Sequence, residues 1–194
     1  MILERLSIEH RNIEKLLGIL DRELEIVDSG GRPDYEVMRL ILSYFEVYTD
    51  VYHHPQENLV FDKLKIRDPA AAAKIGDLAR EHRKGTNRLR KVTHAIEYAL
   101  ADGEILRKKM REIVGEFIAH ERKHMMLENQ QFFPAVLKAL KPEDWEEITR
   151  AVTSHSDPLF SDAVEERFDA VRTYISQLGQ EVEAERATPR IRSN

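Results

Sequence analysis

From His120 to Pro134 the chain reads HERKHMMLENQQFFP. This run has to be helix, because no Gly or Pro interrupts it before Pro134 and Glu, Lys, Met, Leu and Gln dominate it. His120, His124 and Glu128 stand four apart and therefore share one face. Upstream, Met110, Ile113 and Phe117 continue that face, and downstream so do Phe132 and Ala135, at the spacing of a core-facing stripe. Imidazoles and a carboxylate thus occupy positions where Leu or Phe belongs.

The pattern recurs in YHHPQENLVF, where His53 and Glu57 repeat the step of His124 and Glu128, each Glu being followed by Asn and then by Phe. Two further histidines fall on core stripes. His10 lies in the seam Leu3, Leu6, Ile13, Leu17, Leu20, Leu24, Val27, and His82 lies in the stripe Ile75, Leu78, Leu89, Ile96, Leu100. The elements carrying them are predicted as helices over 2–28, 35–65, 68–100 and 104–140. A break is expected at Pro55, which cannot donate to the carbonyl four residues back. Short turns between four long helices predict an all-α, up-down-up-down bundle over 1–140. An extension over 141–187 follows, with a short helix from Pro142 to about Thr153. Its last helix carries a seam of Val164, Phe168, Val171, Ile175, Leu178 and Val182, to be covered by the bundle's flank or by a second copy in a homodimer. Residues 188–194 read as a frayed basic tail.

A chain of 194 residues with 42% hydrophobic and 34% charged residues is globular rather than disordered. The net charge of −5 and the absence of a basic stripe argue against nucleic acid as a partner. No apolar run reaches membrane-spanning length and no leader pattern opens the chain, so the expected location is cytoplasmic. Cysteine is absent, which leaves only nitrogen and oxygen donors for any metal chemistry.

Burying His10, His53, His82, His124, Glu57 and Glu128 at one level costs several kcal/mol for each unpaired ionised carboxylate. Metal coordination is the simplest arrangement that satisfies all six. A mixed imidazole and carboxylate set suits Fe, Mn, Zn or Co rather than Cu(I) or Ca. Six ligands exceed one tetrahedral site, so the expectation is a dinuclear centre. Glu57 and Glu128 would bridge two ions, His10 and His53 leaning to one and His82 and His124 to the other.

The lone His in helix one, His53-His54-x-x-Glu57 in helix two, Glu81-His82 in helix three and His124-Met-x-x-Glu128 with Phe133-Pro134 in helix four together resemble the hemerythrin-like, or HHE cation-binding, domain family. The resemblance covers 2 to about 140. It implies a non-heme di-iron centre that binds or senses oxygen, nitric oxide or peroxide, or that handles iron. Oxygen-carrying members use a second His one turn along helix three and His-x4-Asp in helix four; here Thr86 and Asn129 stand at those places. The set of four His and two Glu is nearer to bacterial relatives linked to repair of iron–sulfur clusters, which carry a Cys-containing N-terminal segment. His120 reads either as a fifth imidazole replacing the helix-three His or as a hydrogen-bond donor to a ligating carboxylate. Glu14 and Glu121 could reach inward but read as solvated helix-face charges, and His54, His94 and His155 read as surface or flank residues, with His54 placed where it could hydrogen-bond near the site. Tyr44, Tyr48 and Tyr52 form a four-spaced stripe that could line a ligand pocket or act in electron transfer, and reads first as packing. The alternative functions are a di-iron enzyme reducing peroxide or nitric oxide, and a metal-free helical interaction protein.

Overall fold

A computed structural model describes residues 2–152, 155–161 and 165–177, and among them the chain is all-helical with no strand. Helix α1 spans Ile2–Asp28. Helix α2 runs over 35–67, α3 over Pro69–Ile75, α4 over Leu78–Leu100, α5 over 107–139 and α6 over Pro142–Ala151. A single 3-10 turn at Glu166–Phe168 leads into α7, residues 169–177. The four long helices form a ring of neighbours in which α1 packs on α5, α5 on α4, α4 on α2 and α2 on α1.

Helix three is not continuous from 68 to 100 as the sequence reading had it. Gly76 adopts φ +94°, a conformation open to glycine, and ends α3, while the Asp77 carboxylate accepts from the Arg80 amide at 2.9 Å and starts α4. Helices α2 and α5 are continuous, but each contains a wide π-helical stretch, at Phe45–His53 and Glu128–Phe132. Both stretches stop two residues before a proline, Pro55 and Pro134. In each case the residue before the proline donates five back rather than four: the His54 amide to the Thr49 carbonyl, and the Phe133 amide to the Glu128 carbonyl. The proline ring would collide with a carbonyl in regular α register, and the wider turn relieves that collision. The break expected at Pro55 is therefore a π turn rather than a kink or a helix end.

The apolar interior is divided in two. One cluster joins Ile13, Leu17, Tyr44, Phe45, Tyr48, Leu89, Ile96, Phe117 and Ile118, and the other joins Leu3, Leu6, Val60, Phe61, Leu78, Phe132, Phe133 and Val136. On every long helix the histidines of interest fall between the two. His10 lies between Leu6 and Ile13, His53 between Tyr48 and Val60, His82 between Leu78 and Leu89, and His124 between Phe117 and Phe132. A polar layer thus crosses the bundle from all four helices. Phe168 and Val171 are buried in the larger cluster, so the bundle's own flank covers that part of the last seam. Val164, Leu178, Val182 and the expected tail lie outside the described residues. Among the described residues no helix is long and apolar enough to cross a membrane.

Candidate metal centre

All six expected ligands meet in the polar layer, and all are buried, with Glu57 and Glu128 at 0% exposure. Each carboxylate turns one oxygen toward a pair of imidazoles and the other toward one imidazole of the opposite pair. Glu57 Oε1 is 3.2 Å from both His10 Nε2 and His53 Nε2, whereas its Oε2 is 3.4 Å from His82 Nε2. Glu128 Oε2 is 3.5 Å from His10 Nε2, whereas its Oε1 is 3.6 Å from His82 Nε2 and 3.2 Å from His124 Nε2. Two donors that share one ion are separated by roughly 3.0–3.5 Å when each lies about 2.0–2.2 Å from it. The spacings in the layer match that requirement.

The layer also holds buried polar atoms with no hydrogen-bond partner: Glu57 Oε2, both Glu128 oxygens, both ring nitrogens of His82 and His124 Nε2. Buried polar groups are nearly always satisfied, and each orphan costs about 1–3 kcal/mol. Orphans converging from three helices, all of a type that donates to cations, fit a bound metal.

Behind these side chains stands a set of holding groups. His53 Nδ1 lies 2.7 Å from Glu9 Oε2, and Glu9 in turn accepts from the Tyr48 hydroxyl at 3.0 Å. His10 Nδ1 lies 3.1 Å from Asn129 Oδ1. Such contacts leave Nε2 of both rings as the inward donor atom and fix the ring planes. The His10 ring stacks on Phe133, with centroids 5.4 Å apart.

The titration behaviour follows from burial and from these neighbours. Burial opposes charge on His53, but Glu57 and Glu9 outweigh it and hold this imidazole well above its ordinary range. His82 is likewise lifted to about 9, its burial outweighed by Glu128 and Glu57. Burial would raise Glu57, yet His53, His10 and His82 keep it well below the usual carboxylate range. Glu128 is pushed up to about 7 by burial and by Glu57, and burial depresses His124 to about 2. Without a cation, protons on His53 and His82 supply the positive charge that the carboxylates need.

Several residues lie elsewhere than the sequence reading had them. His120 is half-buried and its Nε2 is 3.3 Å from the Glu81 carbonyl, so its hydrogen bond goes to α4 and not to a carboxylate of the layer. His54 is buried at 7% exposure rather than lying on the surface, and it stacks on His82 at 4.1 Å. Among the described residues two groups place one donor atom from each member within 4.8 Å of one another: His10, His53 and Glu57, and His54, Glu57, His82 and His124. Glu14 is on the surface as expected, paired with Arg122 at 2.7 Å, but Glu121 is buried at 3% exposure. Gly85 admits it, since a Cβ there would stand 2.9 Å from Glu121 Oε1. Of the tyrosines, Tyr48 serves Glu9, Tyr44 donates to Asp157 at 2.8 Å, and Tyr52 stacks on His155 at 3.9 Å. The sequence did carry a signal for Glu9, because Glu9, Leu16 and Glu23 form a second stripe seven apart along α1, and all three are buried.

Burial, with Asp50 and Glu128 nearby, pushes the Glu121 carboxyl from 4.5 up to about 8. Between those values the folded chain keeps a proton that the unfolded chain has released, so stability falls as pH rises. In chelator, Glu121→Gln is expected to melt level with the parent at pH 4 and a few degrees above it at pH 8. An equal gap at the two pH values, read by thermal melting, would contradict this assignment.

Comparison with protein families finds that the model for the hemerythrin HHE cation binding domain matches residues 1–136. No curated protein matches the chain, and neither does any solved structure.

Proposed function

Because the chain belongs to the hemerythrin HHE cation-binding family, we propose that its polar layer holds two metal ions, iron in the first instance, in a bundle of up-down-up-down order. The observation that carries this reading is the division of oxygens. Glu57 turns one oxygen toward His10 and His53 and the other toward His82, and Glu128 turns one oxygen toward His82 and His124 and the other toward His10. His10 and His53 would hold one ion and His82 and His124 the other, with both carboxylates bridging. Imidazole and carboxylate donors suit iron, and equally manganese, zinc or cobalt.

A bound di-iron pair would supply a centre that changes oxidation state and accepts a small oxidant such as oxygen, nitric oxide or peroxide. The chain's own residues do the rest. Glu9 and Asn129 hold His53 and His10 in the ring orientation that points Nε2 inward. The two apolar clusters keep bulk water from the layer on either side. A surface pocket of about 510 Å³, lined by Arg11, Met125, Met126, Asn129 and Gln130, reaches His10 and offers a small ligand a way in. Binding or sensing such an oxidant, or handling iron, is the function this arrangement supports best.

Elemental analysis of protein expressed with iron supplementation tests the reading. About two irons per chain are expected, with near-ultraviolet absorption that appears when the reduced protein meets oxygen. Folded protein with no metal above background would exclude the centre and leave a helical interaction module.

A further inference from the structure

We propose that Tyr48 and Tyr52 form an electron relay from the surface to the polar layer, through which an aromatic one-electron donor of the hydroquinone class reduces peroxide. The proposal rests on the dinuclear reading above and concerns residues outside the proposed ligand set. Tyr48 is buried, and its hydroxyl donates to Glu9 Oε1 at 3.0 Å. The other oxygen of that carboxylate, Oε2, lies 2.7 Å from His53 Nδ1. One carboxylate therefore joins the phenol to an imidazole whose Nε2 faces the layer. Outward, the Tyr48 ring is 6.0 Å from the Tyr52 ring, which is partly buried and stacks at 3.9 Å on the exposed His155. On the other side Tyr44, 5.4 Å from Tyr48, is fully buried, so the row of rings opens to solvent at Tyr52.

Few side chains give up an electron and a proton together. Cysteine is absent, and the one tryptophan, Trp145, packs on the smaller apolar cluster, whereas Tyr48 lies in the larger one. Oxidising a buried phenol without moving its proton would leave a buried cation, which a low-dielectric interior opposes. Glu9 removes that obstacle, because it lies within hydrogen-bond reach of the proton that has to leave. The metal pair would supply the place where hydrogen peroxide binds. Peroxide becomes two waters by taking two electrons and two protons as its O–O bond breaks, and Tyr48 supplies the electrons one at a time. In each passage the Tyr48 O–H bond breaks, the electron goes inward and the proton shifts to Glu9. Tyr52 then returns an electron and the proton comes back from Glu9. Tyr52 releases its own proton to solvent and regains it when the donor refills it. Two hydroquinone molecules each lose one hydrogen atom, as an electron through the relay and a proton to solvent, and solvent returns the two protons that complete the waters.

The iron-loaded full chain is mixed with hydrogen peroxide without any donor, frozen, and read by electron paramagnetic resonance. A tyrosyl radical is expected, with hyperfine lines that narrow in protein grown on ring-deuterated tyrosine. Tyr48→Phe, which keeps the ring and loses only the hydroxyl, should hold the same iron and lose the radical. Tyr98→Phe, at an exposed position of α4, should keep it. Tyr52→Phe, which leaves Tyr48 and Glu9 in place, should keep a radical whose decay on adding hydroquinone is several-fold slower than in the parent. If Tyr48→Phe fails to hold iron, Tyr52→Phe decides alone. An iron-loaded parent without a radical, a radical of full size in iron-loaded Tyr48→Phe, or an unchanged decay in Tyr52→Phe would each overturn the relay and leave the centre standing. A parent that holds no iron would overturn both.

Discussion

Glu57→Ala is expected to empty both metal positions at once. Glu57 is the residue that both donor groups share, with Oε1 at the His10 and His53 side and Oε2 at the His82 side. In the proposed centre a substitution on either imidazole pair would weaken mainly one ion, whereas loss of this carboxylate would strip a donor from each. Metal content should fall from about two per chain to near zero. The thermal readout is sharper than the stoichiometry. A ligand at a hundred times its dissociation constant stabilises the native state by about 2.7 kcal/mol, which for a chain of this size raises the melting temperature by roughly 5–10 °C. The parent should show that rise on adding metal and Glu57→Ala should not.

Without metal the two should melt closer together. Removing Glu57 takes one of two counter-charges from His53 and from His82, leaving Glu9 and Glu128, and an imidazole can shed its proton, so the penalty of an unpaired buried ion is largely avoided. If the layer were only a network of ion pairs, the outcome would reverse. Metal would then shift neither protein, and the variant would be the weaker of the two under every condition.

Glu57, Glu128 and the four histidines on core stripes were legible in the sequence because their signal is local. Residues four apart lie on one helix face whatever the rest of the chain does, so a His or Glu on an apolar stripe is visible without tertiary information. The bundle of long helices followed from the same periodicity. What the sequence hid depends on other helices. Glu121 looks like a surface charge until Gly85 is seen to let α4 and α5 close over it. His54 looks like a flank residue because its α-helical direction is wrong by one position. Only the π turn before Pro55 brings it inward. Proline announced a break at that point, but whether the chain ends, bends or widens there is decided by the packing on both sides. Tyr48 and Phe45 are held on one side of the turn, and Val60 and Phe61 on the other. Gly76 is hidden for a related reason, as four alanines before it favour helix strongly enough to mask a single positive φ.

Phe117→Ala should produce the opposite pattern from Glu57→Ala. Phe117 is 1% exposed and packs edge-to-face on Phe45, with centroids 5.1 Å apart and planes at 78°, inside the larger apolar cluster. Truncating a buried Phe loses its transfer energy and leaves a cavity that the close-packed surroundings fill only in part, a cost of about 3–5 kcal/mol. The expected fall in melting temperature is roughly 6–20 °C. The groups that hold the layer's imidazoles belong to the layer itself, Glu9 behind His53 and Asn129 behind His10, and not to this cluster. Below the transition the variant should therefore still bind two metals, and added metal should raise its melting temperature by the same increment as in the parent, because well-separated sites contribute additively. A loss of metal at temperatures where the variant is folded would mean that the polar layer depends on the packing of the larger cluster for its geometry. Retention of metal by Phe117→Ala and its loss from Glu57→Ala would locate metal binding in the layer and most of the folding energy in the apolar clusters that flank it.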